Sequence, residues 1–277
     1  MRVLVAYDGS HDAQQAALFV ARIAAPLHAE VTLLGVTTRD GDSSLLRRRL
    51  EDLSARLSTT SPEPHIRLTT GHIASQILRE VESGDYDLLA LGVRGHSALS
   101  RFLLGATSLQ LVRRAPIPVI VTRRNPAELR RILVCTGGGP PHGVESLALV
   151  VEMAVATGAS VEVLHVMSQL PLTADAVGGA GLHRTAAWHV SNETDEGRHL
   201  AEVIELFTAG GVTAEAKVRY GLVVDEIVDA AKSQPADLVV VGAHGQHGIL
   251  QFLLDDITER VIDRLDRPVL VVRAPPA

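Results

Sequence analysis

Arg2-Val-Leu-Val-Ala-Tyr7 opens the chain, and Arg131-Ile-Leu-Val-Cys-Thr136 repeats it near the midpoint. Each is a short run of aliphatic residues behind an arginine, the pattern of a buried strand. The echo continues downstream. Val31-Thr-Leu-Leu-Gly-Val36 returns as Val161-Glu-Val-Leu-His-Val166 at an offset of 130. Asp87-Leu-Leu-Ala-Leu-Gly92 returns as Asp237-Leu-Val-Val-Val-Gly242, and Pro118-Val-Ile-Val121 as Pro268-Val-Leu-Val271, both at an offset of 150. A fixed offset means tandem copies of one domain, here residues 1–124 and 129–277, with 20 residues gained by the second copy between Val166 and Gly221. Arg123-Arg-Asn-Pro126 reads as the linker, since an Asn-Pro pair breaks regular structure.

Within the first copy, residues 2–7, 31–36, 66–69, 87–91 and 118–122 read as strands. Between them Ala13, Ala16, Ala17, Val20 and Ile23 recur at helical spacing, predicting a helix over 12–25 with one apolar face. Leu45, Leu46, Leu50, Leu53 and Leu57 mark a second helix, and Ile73, Ile77, Leu78 and Val81 a third. Strands that are apolar throughout, alternating with helices, predict a parallel sheet covered on both faces. The expected fold class is α/β: two tandem, doubly wound, parallel five-stranded sheets. The last strands, 118–122 and 268–272, are expected to pair with each other, making an internal pseudo-dimer. Homodimerisation of the full chain is a further expectation.

Composition removes several functions. Of 277 residues, 46% are hydrophobic and 21% charged, so disorder is excluded. Aromatics are 3%, too few for a base-stacking surface, and neither half is basic enough for nucleic acid. Cys135 is the single cysteine, which excludes an internal disulfide and points to a reducing compartment. No apolar run is long enough to span a membrane, and the start does not resemble a leader, so a cytoplasmic location without membrane association is expected. Charge is uneven. Residues 1–125 hold 15 Lys/Arg against 12 Asp/Glu, and residues 126–277 hold 11 against 20. The first half is the one that would accept an anion.

Ligands of doubly wound sheets bind beyond the carboxyl ends of the strands, where the winding reverses. After the first strand comes Asp8-Gly9-Ser10. After the fourth comes Gly92-Val-Arg-Gly95, nine residues, Gly105, and then Ala106-Thr107-Ser108 opening a helix. Gly92 and Gly95 would let backbone amides approach an anion, and the helix start at Gly105 would present free N–H groups and a positive dipole end. Thr107 and Ser108 add hydroxyls, while Arg94 and Arg101 add charge. Asp8 is placed to accept hydrogen bonds from a ribose or a base edge.

These segments resemble the universal stress protein family, whose signature is Gly-x2-Gly-x9-Gly followed by Ser or Thr. The resemblance covers nearly the whole chain: Val3-Leu-Val-Ala-Tyr-Asp-Gly-Ser10, Gly71-His-Ile-Ala-Ser-Gln-Ile-Leu78, the glycine motif and Ala115-Pro-Ile-Pro-Val-Ile-Val121. It implies ATP or a related adenine nucleotide, with Mg²⁺ as its natural companion. By that resemblance Asp8 and the backbone of Val36 hold the nucleoside, and Gly92, Gly95, Gly105 and the residues after it hold the phosphates. Ala6, Arg94, His96, Ala106, Thr107 and Ser108 complete the expected nucleotide-binding set. Ala106 departs from the family's usual Ser, and Thr107 is placed to compensate in part.

The second copy keeps Gly242-Ala-His-Gly245 but has Asp255 and Asp256 where the third glycine and its successor belong, and Thr136-Gly-Gly-Gly139 lacks a counterpart of Asp8. The two aspartates are expected to cap a helix N-terminus and repel phosphate, leaving one site per chain. His183, His189, His199, His244 and His247 have no metal-ligand spacing and read as solvated loop residues. Arg47-Arg-Arg49 reads as a solvated helix face. Residues 168–200 show no sustained period, and are read either as a mobile flap or as a contact surface anchored by Trp188. The expected function is nucleotide sensing in a stress response. A scaffold without nucleotide, a slow Mg²⁺-dependent ATPase and an enzyme acting at the α-phosphate are the alternatives. The last lacks the serine-glycine loop after strand one.

Overall fold

A computed structural model describes residues 1–38, 43–58, 63–93, 104–137, 147–167, 184–243 and 249–273, with backbone alone at 243, 249–255 and 273. The chain divides into two compact units, Met1–Glu128 together with Ile262–Ala277, and Leu129–Val261. Both are α/β with mostly parallel strands. Among the described residues no helix is long and apolar enough to cross a membrane.

In the first unit β1 (Arg2–Tyr7) lies between β2 (Glu30–Thr37) and β4 (Leu88–Gly92), with β3 (His65–Thr70) outside β2 and β5 (Val119–Thr122) outside β4. All five are parallel. Val3, Leu4 and Val5 are fully buried, as a central strand covered on both faces requires. Helix α1 (His11–Ala24) begins at Ser10, whose Oγ accepts the Ala13 N–H at 3.1 Å. Its Ala13, Ala16, Ala17, Val20 and Ile23 face is buried, as its periodicity predicts. α1 packs on β4 and meets α2 (Ser43–Leu57), while α3 (Ile73–Ser83) meets α4 (Ala106–Arg114). Right-handed crossovers put these two pairs on opposite faces, with the reversal between β1 and β4.

The chain's last strand, β10 (Val269–Arg273), belongs to this unit and pairs antiparallel with β5, Val269 opposite Val121 and Val271 opposite Val119. The pairing expected of residues 118–122 and 268–272 is therefore present as a ladder.

The second unit orders its parallel strands β9 (Leu238–Ala243), β6 (Arg131–Thr136), β7 (Ser160–Met167) and β8 (Ala214–Tyr220). Helix α5 (Ala148–Thr157) follows β6, and α8 (Val223–Ser233) follows β8. Between β7 and β8 stand α6 (Ala186–Ser191) and α7 (Asp195–Ala209). Thr185 caps the first through Trp188 N–H and Thr194 caps the second through Gly197 N–H. Glu162, only 3% exposed, is neutralised by Lys217 Nζ at 2.7 Å and by Arg131. Burial, with the Glu162 carboxylate beside it, raises the Cys135 thiol above its ordinary range.

Candidate functional site

At the carboxyl edge of the first sheet, the turn after β1 is organised by its own polar groups. Asp8 is exposed, and its Oδ1 accepts the Ser10 N–H at 2.9 Å. Gly9 sits at φ +80°, a conformation costly for a side chain, and a Cβ there would lie 2.8 Å from Arg49 Nη1. That nitrogen donates to the Gly9 carbonyl at 3.0 Å. Arg49 is thus not a purely solvated residue: it reaches from α2 to the mouth of the crevice. Burial raises the Tyr7 phenol, with Arg49 lowering it and Asp8 raising it, so both charges act at the tip of β1. Nothing in the Arg47-Arg-Arg49 run distinguishes the third arginine. Only the packing of α2 against β2 and β3 turns it toward Gly9.

Val36 lies one residue past the Tyr7–Gly35 pair, so β1 no longer flanks it, while Thr69 of β3 still does. Ala6 is inside the sheet, opposite Leu34 and Leu91. Gly92 ends β4 and has a packing reason for lacking a side chain. A Cβ there would stand 2.3 Å from the Asp12 carbonyl oxygen and 2.6 Å from Ala13 Cα. This glycine admits the amino end of α1 against β4. Arg94, Gly95, His96 and Arg101 lie outside the described residues.

Gly105 is the N-cap of α4, at φ −55° and ψ 148°, with no side-chain cap. Helix geometry leaves the N–H groups of Ala106, Thr107 and Ser108 without carbonyl partners inside the helix, and the dipole puts positive potential there. The first intrahelical bond is Leu109 N–H to the Gly105 carbonyl at 2.9 Å. Ala106 and Thr107 are exposed and Ser108 half-buried, and among the described residues a Cβ at Gly105 would meet nothing within 4 Å. This open, positively polarised helix end lies on the same edge as Asp8. The residues fit an anionic group attached to a hydrogen-bonding head. Among the described residues no group of three His, Cys, Asp or Glu could hold a metal ion.

The second unit differs, and in one respect not as its sequence suggests. Helix α9 runs Ile249–Arg264, so Asp255 and Asp256 sit well inside it rather than at its start. Without a glycine, Ile249-Leu-Gln-Phe-Leu-Leu254 continues unbroken into the aspartates, since leucine favours a helix interior by up to about 1 kcal/mol over glycine. The backbone amides there bond within the helix, and Asp256 pairs with Arg260 at 3.8 Å.

The position of Gly35 is taken by His165, 4% exposed, and a second histidine is buried nearby. His189 Nε2 bonds to the Tyr220 hydroxyl at 2.9 Å and Nδ1 to Thr194 Oγ1 at 3.1 Å. His189 is therefore no solvated loop residue: α6 folds it against β8. His183, His244 and His247 lie outside the described residues. Arg184 stacks on Trp188 at 3.7 Å, and His189 meets the same ring edge-on. The signal for this region was local, since Thr185 and Thr194-Asp-Glu196 are helix starts.

The Universal stress protein family profile matches residues 1–123 and again 128–273. The universal stress protein MJ0531 of Methanocaldococcus jannaschii is 29% identical over 155 residues, 55% of this chain and 87% of that protein. The Mycobacterium tuberculosis universal stress protein Rv2005c is 31% identical over 198 residues, 69% of this chain. The match spans 63% of that relative, less than two thirds of its length. Among solved structures, a universal stress protein from Archaeoglobus fulgidus shares the fold with a TM-score of 0.76 at 18% identity, over 99% of this chain and 98% of that one.

Proposed function

Since the chain belongs to the universal stress protein family through both of its halves, we propose that its first unit binds an adenine nucleotide, ATP or a close relative, and that the protein is a cytoplasmic stress-response sensor rather than a catalyst. One observation carries the reading: the uncapped start of α4 at Gly105, open to solvent on the edge that also presents Asp8. Phosphate would meet the amides of Ala106, Thr107 and Ser108 and two hydroxyls, with Gly92, Arg94, Gly95 and His96 completing the cradle. Asp8, Ala6 and the Val36 backbone would take the nucleoside. Mg²⁺ would screen the phosphates when the nucleotide carries it. Among the described residues Asp8 is the carboxylate that would face the nucleotide, and turnover faster than a slow ATPase is not part of the reading.

Calorimetric titration of the full chain with ATP tests this. One site per chain is expected, lost in Gly105→Asp and kept in Asp256→Ala. Two equal sites, or no binding, would count against it. The scaffold alternative draws on Ala106, which has no hydroxyl to offer. Adenine nucleotide released on denaturing fresh protein would exclude that alternative. Homodimerisation of the full chain is part of the same proposal and is read by sedimentation.

A further inference from the structure

Gly105 has no side chain, and among the described residues a Cβ there would meet nothing within 4 Å, yet the cap must keep one conformation for the α4 amides to converge. What restrains it lies on its flanks. Behind it, Leu109 N–H bonds the Gly105 carbonyl. Ahead of it, the amide of buried Leu104 donates to Asp263 Oδ1 at 3.0 Å, 159 residues away in sequence. Asp263 is in turn held by Arg123, which follows β5 and has a side chain only 5% exposed. Arg123 Nη2 lies 3.4 Å from Asp263 Oδ1, and Nη1 donates to the carbonyls of Ile262 (2.6 Å), Asp263 (3.1 Å) and Leu265 (3.2 Å). Those carbonyls cluster around the carboxyl end of α9, where unpaired acceptors and the dipole favour a cation.

We propose that Asp263 is a positioning residue for the anion-facing end of α4, anchoring Leu104 so that Gly105 caps the helix in one conformation. This rests on the nucleotide reading above. A bare carboxylate beside a phosphate site would repel its ligand, but Arg123 neutralises this one, leaving an acceptor without net charge. The tie is not a by-product of the repeat. At the offset of 150 the counterpart of Asp263 is Arg113, which has the opposite charge, so the arrangement is particular to one unit. The β5–β10 ladder brings the two partners together, and Arg124 N–H bonds the Asp266 carbonyl at 3.0 Å on the same seam.

Two measurements on the full chain test the proposal. In nucleotide-free protein, Asp263→Ala is expected to speed amide hydrogen exchange across 104–109 by about tenfold, and Asp263→Asn, which keeps an acceptor, to leave it nearly unchanged. In calorimetry, Asp263→Ala is expected to weaken ATP about tenfold while adenosine, which does not reach α4, binds as before. Unchanged exchange, equal losses for ATP and adenosine, or no rescue by Asp263→Asn overturns the proposal. Failure of the unaltered chain to bind ATP would overturn the nucleotide reading instead, and exchange would still decide whether Asp263 holds the α4 start.

Discussion

Arg49 and Gly9 are joined by a 3.0 Å hydrogen bond from Nη1 to the carbonyl, so a residue on α2 holds the turn at the tip of β1. The contact matters because Asp8, on the same turn, is the carboxylate proposed to face the nucleoside. Arg49→Ala should loosen the turn and remove the cation beside Asp8. The expected effects are a stability loss below about 1 kcal/mol, because the arginine is exposed, and ATP affinity lowered about fivefold. Urea unfolding and calorimetry read the two separately. Unchanged affinity would limit Arg49 to the turn.

Gly92→Ala separates packing from ligand binding. The added Cβ would collide with backbone at Asp12 and Ala13, which cannot rotate away as a side chain could. A loss of about 3 kcal/mol in urea unfolding is expected, whether or not nucleotide is present. A variant as stable as the parent would show that α1 can retreat from β4.

Acid should weaken the second unit. Burial pushes both His165 and His189 below the ordinary histidine range, with Glu196 opposing in each case. Neighbouring His199 and His189 lower His165 further, and Arg184 lowers His189 further. The unfolded chain therefore binds more protons than the folded one as pH falls below about 6.5, and stability drops through the depressed folded pKa values. Above about pH 7.5 these groups contribute no slope. Unfolding midpoints between pH 5 and 8 should show the fall, and His165→Asn should flatten it. A slope unchanged in that variant would remove His165 from the account.

Glu162 should be more costly to lose than an ordinary surface acid. Glu162→Ala takes the buried partner from Arg131 and Lys217, but both keep Glu215 and Gln234 and remain partly hydrated, so about 2–3 kcal/mol is expected rather than the full cost for a buried pair. Glu162→Gln, which keeps one acceptor oxygen, should lose less. Equal losses would mean that the charge, absent from both variants, accounts for the cost and the remaining acceptor for none of it.

Much of this was legible in the residues. Val3-Leu-Val5 and its echoes are apolar on every position, which only a doubly covered strand tolerates, and the alanine spacing of α1 matches its buried face. Gly105 was readable as a helix start because α4 has an uninterrupted pattern behind it. Asp255 and Asp256 misled for the complementary reason: residue type alone suggests a cap, whereas the uninterrupted leucine-rich run before them extends the helix. The buried histidines were unreadable because burial depends on what folds over them, and α6 is too short to show a period.

Strand and helix identity, the repeat and the glycine spacing were decided by the sequence by itself, because each depends on neighbours within a few residues. Tertiary structure alone decided that Arg49 reaches Gly9, that Gly92 is demanded by helix packing, and that Asp263 anchors Leu104. Those relationships join groups 40 to 159 residues apart or turn on a few tenths of an ångström. No local pattern encodes them, since they exist only once the sheet has fixed where each strand end and helix terminus lies.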